Sequence, residues 1–241
     1  MLSVIIPFFN EEKGIPLVVK DILNFEKKNS LCALEYIFID DGSSDDSLII
    51  LEKLKKKLFK SLKKKIKIIK NGKNSGFAKK LIQGFNLAKG KYVICIVSDG
   101  EVRISQFFDK IEFSSDLLIL QRKTVFNRPV IRIMLSYLYR FLISIIFFVK
   151  VIDFNGLLVI KKSIIRKLNI TSNSFFITAE IIVKSIKLGY SINIEKYLQT
   201  YVKEVYISTS LSILQFRRIL LDIYKTKRFL NQNVKSIKQV I

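Results

Sequence analysis

The chain has 241 residues, 49% of them hydrophobic, with 42 Lys and Arg against 20 Asp and Glu, a formal net charge of +22, two cysteines and no histidine. It is long enough to bury a substantial core and fits one main domain plus a tail. The charge implies anionic partners such as nucleotides, phospholipid headgroups or nucleic acid, with a general enrichment in Lys, Ile, Asn and Phe as the alternative source. Cys32 and Cys95 rule out a disulfide framework, and the lack of His leaves any metal to oxygen ligands, which favours magnesium or manganese.

The run 3–9 is a strand from the outset, which leaves no room for a signal peptide and predicts a cytosolic setting. A helix follows, with Pro16 near its first turn and Leu17, Val18, Ile22 and Phe25 apolar. A second strand ends at Asp40. Ser43 and Ser44 offer caps to a helix whose Leu48, Leu51, Leu54, Leu58 and Leu62 recur at helical spacing, with the lysines of 53–65 on its solvated face. Residues 66–69 make a third strand. Gly76 opens a helix burying Phe77, Leu81, Phe85 and Ala88 and closed by Gly90, and the strand 92–97 comes next. Strand and helix alternating in this way predict an α/β fold with a mostly parallel central sheet and flanking helices. Further on, 116–120 and 156–160 read as strands, and 131–149, 175–188 and 211–230 as helices. The expected division is a catalytic domain over 1–205 and an amphipathic helical tail over 206–241.

Two apolar runs end in acidic clusters, Asp40-Asp41-Gly42-Ser43 and Ser98-Asp99-Gly100-Glu101. Buried parallel strands would deliver both to the carboxyl edge of one sheet, where open α/β sheets bind ligands. Carboxylates gathered there repel unless a cation sits among them. Each cluster alone is also the sequence of a turn, the first with a helix cap. Gathered on one sheet edge, the two clusters point to a bound metal nucleotide.

The segments 3–12, 39–45 and 98–101 resemble, in order and spacing, the inverting family 2 glycosyltransferases with a GT-A fold, and most of all the dolichol- or polyprenyl-phosphate mannosyl- and glucosyltransferases. The likeness is dense over roughly the first 105 residues and patchier to about residue 205. It implies a hexosyltransferase that moves a sugar from a GDP-mannose or UDP-glucose type donor to a polyprenyl-phosphate carrier, with inversion, at the inner face of the cell membrane. By position it implies that Pro7, Phe9, Glu11, Ile39 and Asp41 contact the nucleotide. Asp99 and Glu101 match the catalytic metal pair, with Gly100 and Arg103 in the same nucleotide-binding loop. Glu101 replaces the family's second Asp. Arg103 stands where close relatives carry a Gln, and as a fixed cation it either clamps the diphosphate or leaves the metal weakly held.

Arg122, Arg132 and Ser136 match the residues that hold the acceptor phosphate, Arg132 being counted as catalytic. Arg132, Ser136 and Arg140 form one polar stripe on the apolar helix 131–149, whose central charge and length argue against crossing a membrane. Periodicity alone allows a membrane-surface helix or a buried helix with a solvated edge; the resemblance selects the first. On the terminal helix Phe216, Ile219, Leu220, Ile223 and Leu230 share one arc, opposite Arg217, Arg218, Lys225 and Arg228, which suits an anionic bilayer or docking on protein equally. Asp153-Phe154-Asn155-Gly156-Leu157 carries a family motif in part, Glu180 matches an acidic position, and Lys203 is the candidate for a cation over the diphosphate. The alternatives are transfer to a sugar hydroxyl of a surface polysaccharide, with Glu180 or Asp153 as base, and, more remotely, a basic nucleic-acid-binding protein.

Overall fold

The computed structural model describes residues 1–29, 33–100, 102–123, 130–150, 154, 156–198 and 213–238; for Arg122, 130–132, Leu198, 213–214 and 234–238 only the backbone is described. In the first half β1 (Leu2–Phe8), α1 (Gly14–Lys28), β2 (Leu34–Asp40), α2 (Ser47–Lys57), α3 (Lys60–Lys65), β3 (Ile66–Ile69), α4 (Phe77–Leu87) and β4 (Tyr92–Cys95) follow one another. The second half adds α5 (Ile104–Phe107), β5 (Leu117–Lys123), α6 (Val130–Phe147), β6 (Leu157–Lys161), α7 (Lys162–Ile165), α8 (Ile177–Lys187), β7 (Ile192–Leu198) and α9 (Ile213–Lys238).

The strands form one sheet in the order β3-β2-β1-β4-β6-β5-β7. β1 is parallel to both β2 and β4, and β2 to β3, while β6 runs antiparallel to β4 and β5. β5 and β7 are parallel to each other. The sheet is therefore mostly parallel with one reversed strand, a direction that an apolar run does not encode. β7 carries no strand signature in the sequence, because its Asn193, Glu195 and Lys196 interrupt the apolar pattern.

Both faces of the sheet are covered, so strand residues are buried on alternate sides. Ile6, Phe8 and Phe38 pack with Val18 and Ile22 of α1, Leu51 of α2 and Phe107 of α5. Ile5 and Ile37 pack on the other side with Leu81 and Phe85 of α4, Ile143 and Phe147 of α6 and Ile181 of α8.

Four local expectations are corrected. The single helix expected through Leu62 breaks at Leu58 and Phe59, both extended (ψ 157° and 155°), yet Leu58 and Leu62 remain buried because α3 turns back onto the core. Ser43 and Ser44 do not cap α2, which starts at Ser47; they bond elsewhere, as described below. Leu17 is 45% exposed rather than core. Gly90 lies beyond α4, where its N–H donates to Ser3 Oγ (2.8 Å) in the turn into β4.

Candidate active site

Strand order reverses between β1 and β4, so the crevice outside their carboxyl ends is the topological switch point of this sheet, the place where α/β folds receive ligands. Two loops meet there. After β1 come Phe9, 42% exposed, and Asn10, whose φ of 54° turns the chain sharply. Asn10 N–H donates to Ser43 Oγ (3.1 Å), and its Oδ1 accepts from Ser44 N–H (2.9 Å). Glu11 N–H donates to Ser47 Oγ (2.7 Å) and Glu12 N–H to Asp45 Oδ2 (3.2 Å). The hydroxyl and acidic residues after β2 therefore tie the second loop to the first. Helix-cap chemistry in the sequence masked this role, because the same side chains satisfy backbone N–H groups in either setting.

Asp40 and Asp41 divide the work at the end of β2. Asp40 Oδ1 accepts from Ser43 N–H (2.9 Å) and Ser43 Oγ (2.6 Å), which shapes its own turn. Asp41 reaches the start of α4 instead: Oδ1 accepts from Ser75 N–H (2.8 Å) and Oδ2 from Gly76 N–H (2.8 Å). Lys80 Nζ lies 3.1 Å from Asp41 Oδ1. The Asp41 carboxylate thus fixes the loop over the sheet edge; within the protein it is a positioning group. Lys80 had no signal in the sequence beyond its membership of a lysine-rich helix.

At β1 and β4 the decisive residue is Gly14, the first of α1. A Cβ on Gly14 would lie 2.1 Å from Ser98 O, 2.9 Å from Glu11 Oε2 and 3.0 Å from Asp99 Cα. Only a hydrogen at that position lets α1 start against the strand end, which brings the Glu11 carboxylate beside the Asp99 backbone. Gly100 (φ 79°) then turns in the left-handed region close against Leu17: a Cβ there would lie 2.9 Å from Leu17 Cδ1. Glu101 lies outside the described residues. Beyond it the chain is pinned to α1: Ile104 N–H donates to Asp21 Oδ2 (2.7 Å) and Ser105 Oγ to Oδ1 (3.3 Å). Burial raises the Asp21 carboxyl above its ordinary value against those bonds. Arg103 is exposed, and its N–H donates to Gln106 Oε1 (3.1 Å).

Pro7 and Ile39 are register partners on adjacent strands, with Ile39 fully buried. Below the loop after β4 lies an apolar cavity of about 160 Å³, lined by Val97, Val102, Phe77, Leu81, Ile181 and Tyr197 among others. The donors gathered at the switch point are all oxygens, which fits magnesium or manganese and not a thiolate- or imidazole-seeking metal. Among the described residues no group of three His, Cys, Asp or Glu side chains is placed to hold an ion, and Glu101, the expected partner of Asp99, lies outside them.

Toward the other half of the sheet, Arg122 sits near the end of β5 opposite Tyr197 of β7, and Arg132 in the first turn of α6; their side chains are outside the described residues. Ser136 is half-buried one turn later, and its carbonyl accepts from Arg140 Nε (3.3 Å), while the Arg140 guanidinium lies 4.2 Å from the Tyr137 ring centre. α6 buries Ile143 and Phe147 but exposes Met134, Tyr137, Leu138, Phe141 and Ile145. No helix among the described residues is long and apolar enough to cross a membrane.

Glu180 is no candidate base. It is fully buried, accepts from Thr171 N–H (3.0 Å) and Ser172 N–H (2.9 Å), and is paired with Lys184 one turn on. Asp153, Asn155 and Lys203 lie outside the described residues.

Residues 3–160 match the sequence profile of glycosyl transferase family 2. The chain is 34% identical over 120 residues to a dolichyl-phosphate beta-glucosyltransferase of Saccharomyces cerevisiae, an alignment covering 47% of this chain and 36% of that protein. It spans roughly a third of the length of the curated relatives it matches. In three dimensions it is similar to the Mycobacterium tuberculosis glucosyl-3-phosphoglycerate synthase solved with manganese, UDP and glucosyl-3-phosphoglycerate (TM-score 0.65, 15% identity, 94% of this chain and 79% of that one). It is also similar to a mannosyltransferase of Pyrobaculum calidifontis solved with GDP-mannose and manganese (TM-score 0.60, 14% identity, 97% and 70%). At these identities the two structures establish the fold alone, which is the GT-A fold.

Proposed function

The chain belongs to glycosyl transferase family 2, and on that footing we propose that it moves a hexosyl group from a nucleotide-sugar, of the UDP-glucose or GDP-mannose type, to a polyprenyl phosphate, with inversion. The observation that carries this reading is the switch-point crevice, where Gly14 lets Glu11 and the Asp99 backbone meet. Pro7, Phe9, Glu11, Ile39 and Asp41 line or shape the nucleotide's place, the last by holding the start of α4. Gly100 and Arg103 belong to the same loop, and Arg103, which is exposed, serves the diphosphate in this reading. Asp99 and Glu101 would hold magnesium or manganese, which when bound offsets the charge that builds on the departing diphosphate. Arg122, Arg132 and Ser136 bind and orient the acceptor phosphate, which is already ionised near neutral pH and needs no base. The relatives named for dolichyl phosphate support this acceptor class.

In this reading residues 1–205 carry transfer and 206–241 form a tail. The exposed apolar side of α6 rests on the membrane surface where the lipid carrier lies, at the cytoplasmic face. The test is transfer of radiolabelled sugar from UDP-glucose and GDP-mannose to undecaprenyl phosphate, read as organic-phase product. Product is expected with the wild type and at least about 100-fold less with Arg132→Ala or Asp99→Asn, as for loss of one charge-stabilising group. Absence of organic-phase product with every donor refutes the acceptor assignment.

A further inference from the structure

We infer that α9, with the pocket it forms against α4, is a binding site for the phosphate of an anionic phospholipid headgroup. The pocket, of about 290 Å³, is lined by Ser75 and Lys79 from the start of α4, by Asn173 before α8, and by Arg218, Asp222 and Lys225 of α9. Asp222 is its one carboxylate and is already used. It is 2% exposed, accepts from Asn173 N–H (3.0 Å) and Ser174 Oγ (2.7 Å), and has Lys225 Nζ at 3.9 Å. Among the described residues neither Lys79 nor Arg218 has a carboxylate within ion-pair distance. The pocket therefore carries an excess of positive charge, with the Asn173 side-chain amide as a neutral donor beside it while the Ser75 hydroxyl is turned to Asp41 Oδ1 (3.4 Å), a composition that takes a phosphate.

The exposed side of α9 selects which phosphate. α9 docks through Ile219, Ile223 and Leu230, which pack on the core shared with α8. Its exposed side carries Leu221 (57%) at the pocket rim and, farther round the helix from the pocket, Tyr224 (64%), Leu220 (50%) and Phe216 (62%). Arg217, Lys227 and Arg228 are exposed among them, and Asp222, the one acidic residue of Ile213–Lys238, faces inward. The arc read from the sequence is thus divided: Phe216 and Leu220 join the cations outside instead of the docked face. An outward surface of aromatic and aliphatic side chains interleaved with cations and free of carboxylates matches an anionic bilayer surface, where acyl chains take the apolar groups and headgroups the charges. A free phosphate ion would leave the apolar stripe in water, and a second copy of a chain with net charge +22 would be repelled.

Ser75 both lines the pocket and donates its N–H to Asp41, so lipid bound there sits at the rim of the switch-point crevice. Lipid binding at this pocket requires neither the transfer reaction nor α6.

The test is co-sedimentation of the full chain with vesicles of phosphatidylcholine alone or mixed with phosphatidylglycerol, and with inorganic phosphate as competitor. The wild type should bind the mixed vesicles at least about tenfold more tightly than the neutral ones, and Arg218→Glu with Lys225→Glu should lose at least about tenfold of that affinity, since each cation near an anionic surface adds roughly a factor of five. Lys79→Glu, on α4, probes the same pocket without touching α9 and should also weaken binding, with unchanged thermal unfolding as the control. Equal binding to both vesicle types, or an unchanged anionic preference in both variants, overturns the inference. Displacement from mixed vesicles by inorganic phosphate at constant ionic strength overturns the lipid source in favour of a free phosphate.

Discussion

The Asp41 carboxylate and the Lys80 ammonium lie 3.1 Å apart, with side-chain exposures of only 7% and 5%. A charge buried this deeply is tolerated because its partner and two backbone N–H groups compensate it, and removing one partner strands the other. Lys80→Met should therefore destabilise the fold on the order of 3–5 kcal/mol, seen as a lower urea midpoint. Because Asp41 also anchors Ser75 and Gly76, nucleotide-sugar affinity should fall in the same variant at urea concentrations where it remains folded. A variant as stable as the wild type would show that the pair adds nothing to the edge.

Gly14→Ala should harm the site more than the fold. The added methyl meets Ser98 O, so α1 must withdraw from the end of β4. Overpacking of this kind costs about 1–3 kcal/mol, a modest fall in melting temperature. The larger effect expected is on manganese and UDP binding by calorimetry, because Glu11 and Asp99 separate. Unchanged binding with a lowered melting temperature would detach Gly14 from the site.

The corner between β5, β6 and β7 predicts a response to acid. Lys161 Nζ donates to Asp116 Oδ1 (2.9 Å), and Ser191 N–H and Oγ donate to Oδ2 (3.3 and 3.2 Å). The lysine bond holds the Asp116 carboxyl below its ordinary 3.8. For a depressed carboxyl the stabilisation is complete above the ordinary value and is lost as pH falls through the folded one. Asp116→Asn should flatten the dependence of unfolding free energy on pH below about 4 and leave it parallel to the wild type at neutral pH.

Cys95 faces the apolar cavity, and burial pushes its thiol from 9.0 up to about 12. At pH 8 its thiolate fraction is then about 1,000-fold below that of an unperturbed thiol, so in a Cys32→Ser background modification by a disulfide reagent should be slow until the protein unfolds. A raised thiol value also means that stability present below pH 9 declines as pH climbs toward 12. Labelling of the native protein at the rate of the unfolded chain contradicts this placement.

Much of the scaffold could be read locally. Apolar runs of strand length bounded by turn residues located β1, β2, β3 and β4 and the carboxylates at their ends, because burial on both faces of a sheet leaves a continuous apolar signature. The same signature carries no direction, so the reversal of β6 was not visible. The lysine-flanked leucine ladder promised one helix, and two short ones satisfy the same burial.

What sequence determined by itself is which residues are apolar enough to be buried and which acidic groups close each strand, since both follow from local composition and periodicity. Tertiary structure alone decided their partners. Asp41 spends its charge on Ser75, Gly76 and Lys80, and Ser43, Ser44 and Ser47 bind the loop after β1. Glu180 is buried against Lys184, and α9 turns Phe216 and Leu220 outward. Apart from the Glu180–Lys184 pair one turn apart on α8, most of these contacts join segments some 30 residues or more apart, and the rest depend on how elements pack, where hydrogen-bond partners are chosen by the approach of packed elements and no local propensity records them.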